Sequence, residues 1–177
     1  MAGMTAAKLA AIHTRHELHA GVRIFMETGT FEGKTTRLAA AEFGLVFSVE
    51  IKRELYQAAA ERLLVECPNV SVLFGDSRWA VRWLATRLTE PVCWYLDAHW
   101  FKHPAVGGQE EGLPLWAELE AIAARPFRDI VVVDDVNDFG KPKPTPEWEQ
   151  VTLERIAGMF PGHHEAVILH DQAVIYK

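Results

Sequence analysis

Acids follow or end five apolar runs of this sequence. They are Glu27 in "VRIFME", Glu50 in "LVFSVE", Asp76 in "LFGDS", Asp97 in "VCWYLD", and the pair Asp134 and Asp135 in "IVVVDD". Carboxylates at the ends of apolar strands have three chemical uses. They can accept both hydroxyls of a ribose, hold a hard cation such as magnesium, or take a proton from a reacting group. Ligands of open parallel sheets bind outside the carboxyl ends of the strands, so a recurring acid there outlines a site rather than a set of caps.

Between the first two acids lies "FMETGTFEGKTTRLAA", residues 25–40, which admits two readings. A triphosphate loop needs Gly, four residues, then Gly-Lys-Ser/Thr, so that backbone N–H groups wrap the β-phosphate. Here only three residues separate Gly29 from Gly33-Lys34-Thr35, although "IVVVDD" could supply the magnesium-binding strand. The second reading takes Glu27, Thr28, Gly29, Thr30, Phe31 and Gly33 as a tight turn that brings a ligand against a helix N-terminus, where free N–H groups and the dipole favour negative charge. In that reading Glu50 accepts the ribose hydroxyls, while Asp76 and Ser77 meet an adenine amino group.

Strand and helix patterns alternate along the chain, and these are the elements that must place the acids. After a first helix over residues 5–20, the runs at 22–27, 45–50, 70–75, 92–97 and 129–135 read as strands. Helical segments at 33–44, 51–66, 77–88 and 113–124 separate them. Near-continuous apolar runs such as "VCWYL" and "IVVV" fit parallel strands buried on both faces. The implied fold is α/β, doubly wound, with a mostly parallel seven-stranded sheet. At the end, residues 147–160 read as one helix, and "EAVILH" and "AVIYK" with "DQ" between them form a hairpin, so one strand there is antiparallel.

Composition narrows the function classes. The chain has 177 residues and a formal net charge of -6. That suits a single domain over 1–177, with 1–21 as an N-terminal helix and 22–177 as the core. It argues against nucleic acid as partner, because that affinity comes from clustered Lys and Arg. Cys67 and Cys93 are the only cysteines, in no disulfide or zinc spacing, so a reducing cytoplasm is the expected home. No apolar run approaches the roughly 20 residues that cross a bilayer, and the N-terminus shows no processing signal. Oligomeric state stays open, a homo-oligomer included.

On these residues the sequence resembles the class I S-adenosylmethionine (SAM)-dependent methyltransferases over residues 22–177. "METGTFEGKTT" is similar to their first motif, "VFSVE" to the ribose-binding strand, "LFGDS" to the adenine-binding turn, and the closing hairpin to their seven-stranded ending. Within that class the sequence resembles the small-molecule, family 24-type branch, through "ETGT-x-x-G", "LDAHW", "PLWAELEAI" and "VVVDD". Thr30 departs from the pattern by standing where a second glycine is common. The resemblance implies SAM as cofactor and the hydroxyl of a small-molecule acceptor as target. It also implies that Asp97, Asp134 and Asp135 hold a divalent cation such as magnesium, which lowers the pKa of the acceptor hydroxyl. Asp97 and His99 are the expected catalytic groups, the imidazole because it titrates near neutrality. A phosphate-loop hydrolase or kinase, and a cofactor-binding domain without catalysis, are the competing readings.

Other features have plainer expectations. The loop "HWFKHPAVGGQEEGLP" is long enough for a lid over a site, with Trp100, Phe101 and Lys102 near an acceptor. His13, His16 and His19 read as surface positions. In "SRWAVRWLATR" the two tryptophans, four apart, read as core-facing with solvated arginines.

Overall fold

The computed structural model of the chain describes residues 4–98, 112–142 and 146–177. Seven strands form one sheet: β1 Ile24–Thr28, β2 Leu45–Glu50, β3 Val70–Phe74, β4 Val92–Leu96, β5 Ile130–Val133, β6 Glu165–Leu169 and β7 Gln172–Tyr176. Their spatial order is β3-β2-β1-β4-β5-β7-β6. Pairing is parallel from β3 through β5, while β7 runs antiparallel to both β5 and β6. The antiparallel strand is thus the last one, inserted between β5 and β6 by a two-residue turn at His170 and Asp171, with His170 at φ 59°.

Helices cover both faces, as the apolar runs require. Leu9 and Ile12 of α1 (Ala6–His13) and Ala39 of α2 (Lys34–Glu42) pack on one face with Phe25, Val46, Cys93 and Val132. Ala59 and Leu63 of α3 (Arg53–Glu66) extend that layer over Val70 and Val72. The other face carries Ala80, Val81 and Leu84 of α4 (Ser77–Ala85), Leu115, Leu119 and Ile122 of α5 (Leu115–Ala123), and Ile156 of α6 (Leu153–Gly158).

Three local expectations need correction. The first helix stops at His13, because the Thr14 hydroxyl bonds back to the Ala10 carbonyl (2.8 Å) while Arg15 and His16 turn to Glu165 of β6. The helix expected over 147–160 is broken: a 3₁₀ turn at Pro146–Gln150 precedes an extended Thr152 (φ -140°, ψ 156°). The Thr152 hydroxyl accepts the Arg155 N–H and starts α6 afresh. Finally, Trp79 is 56 % exposed. Ser77, Ala80, Val81 and Leu84 form the buried stripe of α4, and Trp79 lies off it, stacked on Trp83 with centroids 5.9 Å apart. The three N-terminal histidines are likewise engaged: His19 is fully buried, with its ring 2.9 Å from the Lys177 carbonyl, and the half-buried His13 lies 2.8 Å from that of Val22.

Candidate functional site

The chain builds outward from β1 to β2 and β3 on one side, then returns to add β4 on the other, so the strand order reverses between β1 and β4. A crevice opens at such a reversal, and here it is closed at its floor by two contacts. The Thr28 hydroxyl accepts the backbone N–H groups of Asp97 and Ala98, each at 3.1 Å. Next to it Gly29 sits at φ 85°, and a Cβ there would lie 3.1 Å from the Asp97 carbonyl oxygen. Only glycine meets both demands. Gly29→Ala should therefore cost about 1–2 kcal/mol from the left-handed backbone alone, with displacement of the β4 end added, read by chemical denaturation at constant m-value.

The loop from Gly29 to Gly33 is gripped by β2. The N–H groups of Gly29 and Thr30 donate to the Val49 carbonyl at 3.0 and 3.1 Å. The Phe31 N–H donates to Oε2 of Glu50 at 2.9 Å, and the Lys52 N–H to Oε1 at 2.9 Å. Glu50 is 6 % exposed, so its carboxylate is oriented from both sides before any ligand arrives. Phe31, at φ 47°, and Ile51 are exposed apolar side chains beside it. Gly33, at φ 65°, caps α2, with a would-be Cβ 3.0 Å from Leu63.

Glu27 takes a place the sequence did not suggest. It is the penultimate residue of β1, 2 % exposed, and faces inward. Oε2 accepts the Thr36 hydroxyl in a short hydrogen bond and the Ser48 hydroxyl at 2.7 Å. Burial pushes its carboxyl up to about 7, against the opposing pull of the two hydroxyl donors. Thr30 is 3 % exposed and its hydroxyl meets that of Ser48 at 2.6 Å. The departure from the glycine pattern therefore points inward, into the same polar knot.

At the turn after β3, Asp76 caps α4 by accepting the Arg78 N–H (2.8 Å) and also pairs with the Arg78 guanidinium (2.5 Å). That hydrogen-bonded guanidinium holds the Asp76 carboxyl below its ordinary value. Ser77 is buried directly after it.

The third group of predicted residues is only partly assembled. Asp134 is 8 % exposed; its Oδ2 accepts the Tyr95 hydroxyl (2.5 Å) and its Oδ1 the Gln172 amide (2.8 Å). Burial, followed by the charges of Asp97 and Asp134, raises the Tyr95 phenol far above its ordinary value, so it stays a proton donor. Asp135 adopts a left-handed backbone, φ 59°, at the start of a 3₁₀ turn. Among the described residues no three His, Cys, Asp or Glu side chains are grouped to hold a metal ion. Each oxygen of Asp134 accepts one hydrogen bond and keeps a lone pair. His99, Trp100, Phe101, Lys102 and the rest of the expected lid up to residue 111 lie outside the described residues.

Ser48, Thr36, Tyr95 and Gln172 were not singled out from the sequence. Ser48 and Tyr95 are polar residues inside apolar runs, and that interruption was the signal available: a buried polar group requires a partner.

Comparison with known proteins agrees with this architecture. No protein-family model matches the chain. Nor does any curated protein sequence. Solved structures do match in fold. One is the O-methyltransferase TomG from Streptomyces achromogenes, involved in tomaymycin synthesis and solved with SAM; it is 19 % identical, covering 98 % of this chain and 80 % of that one, with a TM-score of 0.61. Another is an rRNA methylase from Streptococcus thermophilus, 13 % identical over 100 % and 98 % of the two chains, at 0.60. A third is an O-methyltransferase from Bacillus cereus solved with S-adenosylhomocysteine (SAH), 17 % identical over 96 % and 78 %, at 0.56. The chain has the Rossmann-like methyltransferase fold.

Proposed function

We propose that residues 1–177 act as one SAM-dependent methyltransferase domain that methylates a hydroxyl of a small molecule in the cytoplasm. The observation that carries this reading is the Glu50 carboxylate, buried and oriented by two backbone N–H groups at the carboxyl end of β2, one strand from the glycine crossing of β1 and β4. Such an acid accepts a ribose diol. The residues present fit the cofactor: the loop from Glu27 through Gly33 would cradle it, Glu50 would take the ribose hydroxyls, and Asp76 with Ser77 would border the adenine. When bound, SAM supplies an electrophilic methyl on a sulfonium. The chain's own task is then to align the acceptor and remove its proton.

Thr28 fixes the backbone of Asp97 and Ala98 immediately before His99, which we assign as the base; Asp97 stands at the end of β4 beside the crevice. The carboxylates of Asp97, Asp134 and Asp135 serve here as polar walls of the acceptor side. The triphosphate reading is disfavoured by Lys34, whose side chain is 80 % exposed and paired with Glu32 at 2.5 Å rather than turned over the loop. A small acceptor is preferred to RNA because the net charge is -6.

Thermal shift and calorimetry with SAM, SAH and ATP, each with and without magnesium, test the reading. SAH at one hundred times its dissociation constant should stabilise by about 2.7 kcal/mol, a shift of several degrees. Stabilisation by magnesium ATP alone would sink it. Glu50→Ala should weaken SAH by about 3 kcal/mol, on the order of 100-fold, from the loss of charge-assisted bonds to the ribose.

A further inference from the structure

Three successive residues of β2 hold the loop between β1 and α2, and only one of them is accounted for by cofactor chemistry. Val49 does so with its carbonyl and Glu50 with its carboxylate. Ser48 does so with its hydroxyl, 2.6 Å from that of Thr30. Ser48 has one proton, and the geometry gives it to Glu27 at 2.7 Å. Thr30 must then donate its own proton to Ser48. Thr36, on the first turn of α2, donates to the same Glu27 oxygen. The four side chains span β1, the loop, α2 and β2, and all are nearly or fully buried. In sheet register Glu27 lies between Ser48 and Tyr95, so the knot sits directly beneath the crevice.

We infer that Ser48 is a positioning residue: it anchors the loop from Gly29 to Gly33 through Thr30, with Glu27 locking its hydroxyl in place. This rests on the reading of that loop as the cofactor cradle. It explains why a threonine stands at the glycine position. Its side chain is drawn inward, and the following residue, Phe31, sits at a positive φ of 47°. A hydroxyl trapped between two others also has few alternative rotamers, so the loop keeps one conformation without a ligand.

The test compares the full-length wild type with Ser48→Ala, Thr30→Val and Thr30→Ser. Amide hydrogen exchange at Gly29 and Thr30 is measured without ligand, and SAH affinity by calorimetry. Thr30→Val keeps the shape and removes the donor, whereas Thr30→Ser keeps the donor. Ser48→Ala and Thr30→Val should each raise exchange at these two amides at least tenfold and weaken SAH about tenfold, with Thr30→Ser within twofold of wild type in both. Wild-type exchange in Ser48→Ala and Thr30→Val, or a Thr30→Ser variant as loose as Thr30→Val, overturns the inference. If Ser48→Ala does not fold, the Thr30 pair decides. A wild type that binds neither SAM nor SAH sinks the cofactor reading instead, and the exchange pattern then judges the anchor alone.

Discussion

Asp129→Ala should lower stability by about 3–5 kcal/mol, the usual consequence of removing one partner from a buried ion pair. Asp129 is fully buried at the start of β5, at the end of the sheet remote from the crevice. It accepts Nε of Arg125 at 2.9 Å and the Val92 N–H at 2.9 Å, with Nζ of Lys177 3.7 Å away. Arg125 in turn donates to the carbonyls of Ala85, Leu88 and Glu90, and Lys177 to those of Ile122 and Arg125. One carboxylate therefore ties α4, α5, β4 and the C-terminus together. Its loss strands two cations and a backbone donor inside the protein. In a chain of this size the midpoint of thermal unfolding should fall by roughly 10 °C. Asp129→Asn, which can still accept the Val92 N–H, should lose less. Equal midpoints for Asp129→Ala and wild type in calorimetric scans would show that the cluster is energetically idle.

Wild-type stability, compared with that of Glu27→Gln, should fall by about 3 kcal/mol between pH 4.5 and pH 8. Burial raises the Glu27 carboxyl from 4.5 to about 7, so the folded state holds its proton where the unfolded chain has released it. The contribution is fully present below pH 4.5 and disappears as pH rises through 7, and its size follows from about 1.4 kcal/mol for each pH unit between the folded and unfolded values. Glutamine keeps an oxygen for the Ser48 and Thr36 hydroxyls and has no proton to lose. Urea titrations at several pH values measure the difference; parallel curves for the two proteins would mean that Glu27 is as well solvated folded as unfolded.

The order of elements was legible in the sequence because all but the last apolar run are bounded on at least one side by glycine or by an acid, and because a two-residue connection permits only a hairpin. All seven strands fall where those runs lie, β2 at the predicted residues and most others within one or two at each end. Element ends decided by side-chain hydrogen bonds were not legible: Thr14 and Thr152 terminate or restart helices through hydroxyls whose partners a pattern of apolar spacing does not reveal. The site divides in the same way. Gly29, Gly33, Glu50, Asp76 and Asp134 were marked by type and position, since turns need glycine and strand ends beside a crevice carry acids.

What each acid does depended on the face it points to and on what packs there. Residues alternate across a strand, and the acids of the five runs do not occupy one shared position along theirs. Glu27 falls inside β1 and is drawn under the loop; Glu50 ends β2 and is aimed by backbone N–H groups; Asp134 follows β5 and is taken up by Tyr95 and Gln172, residues 39 and 38 positions away. Residue types and spacing alone determined the fold class and the glycines and acids at the strand ends, because these follow from local periodicity and turn chemistry. Only the tertiary structure decided which partners each carboxylate takes, because a buried polar group takes the partner that packing brings to it, however distant in sequence.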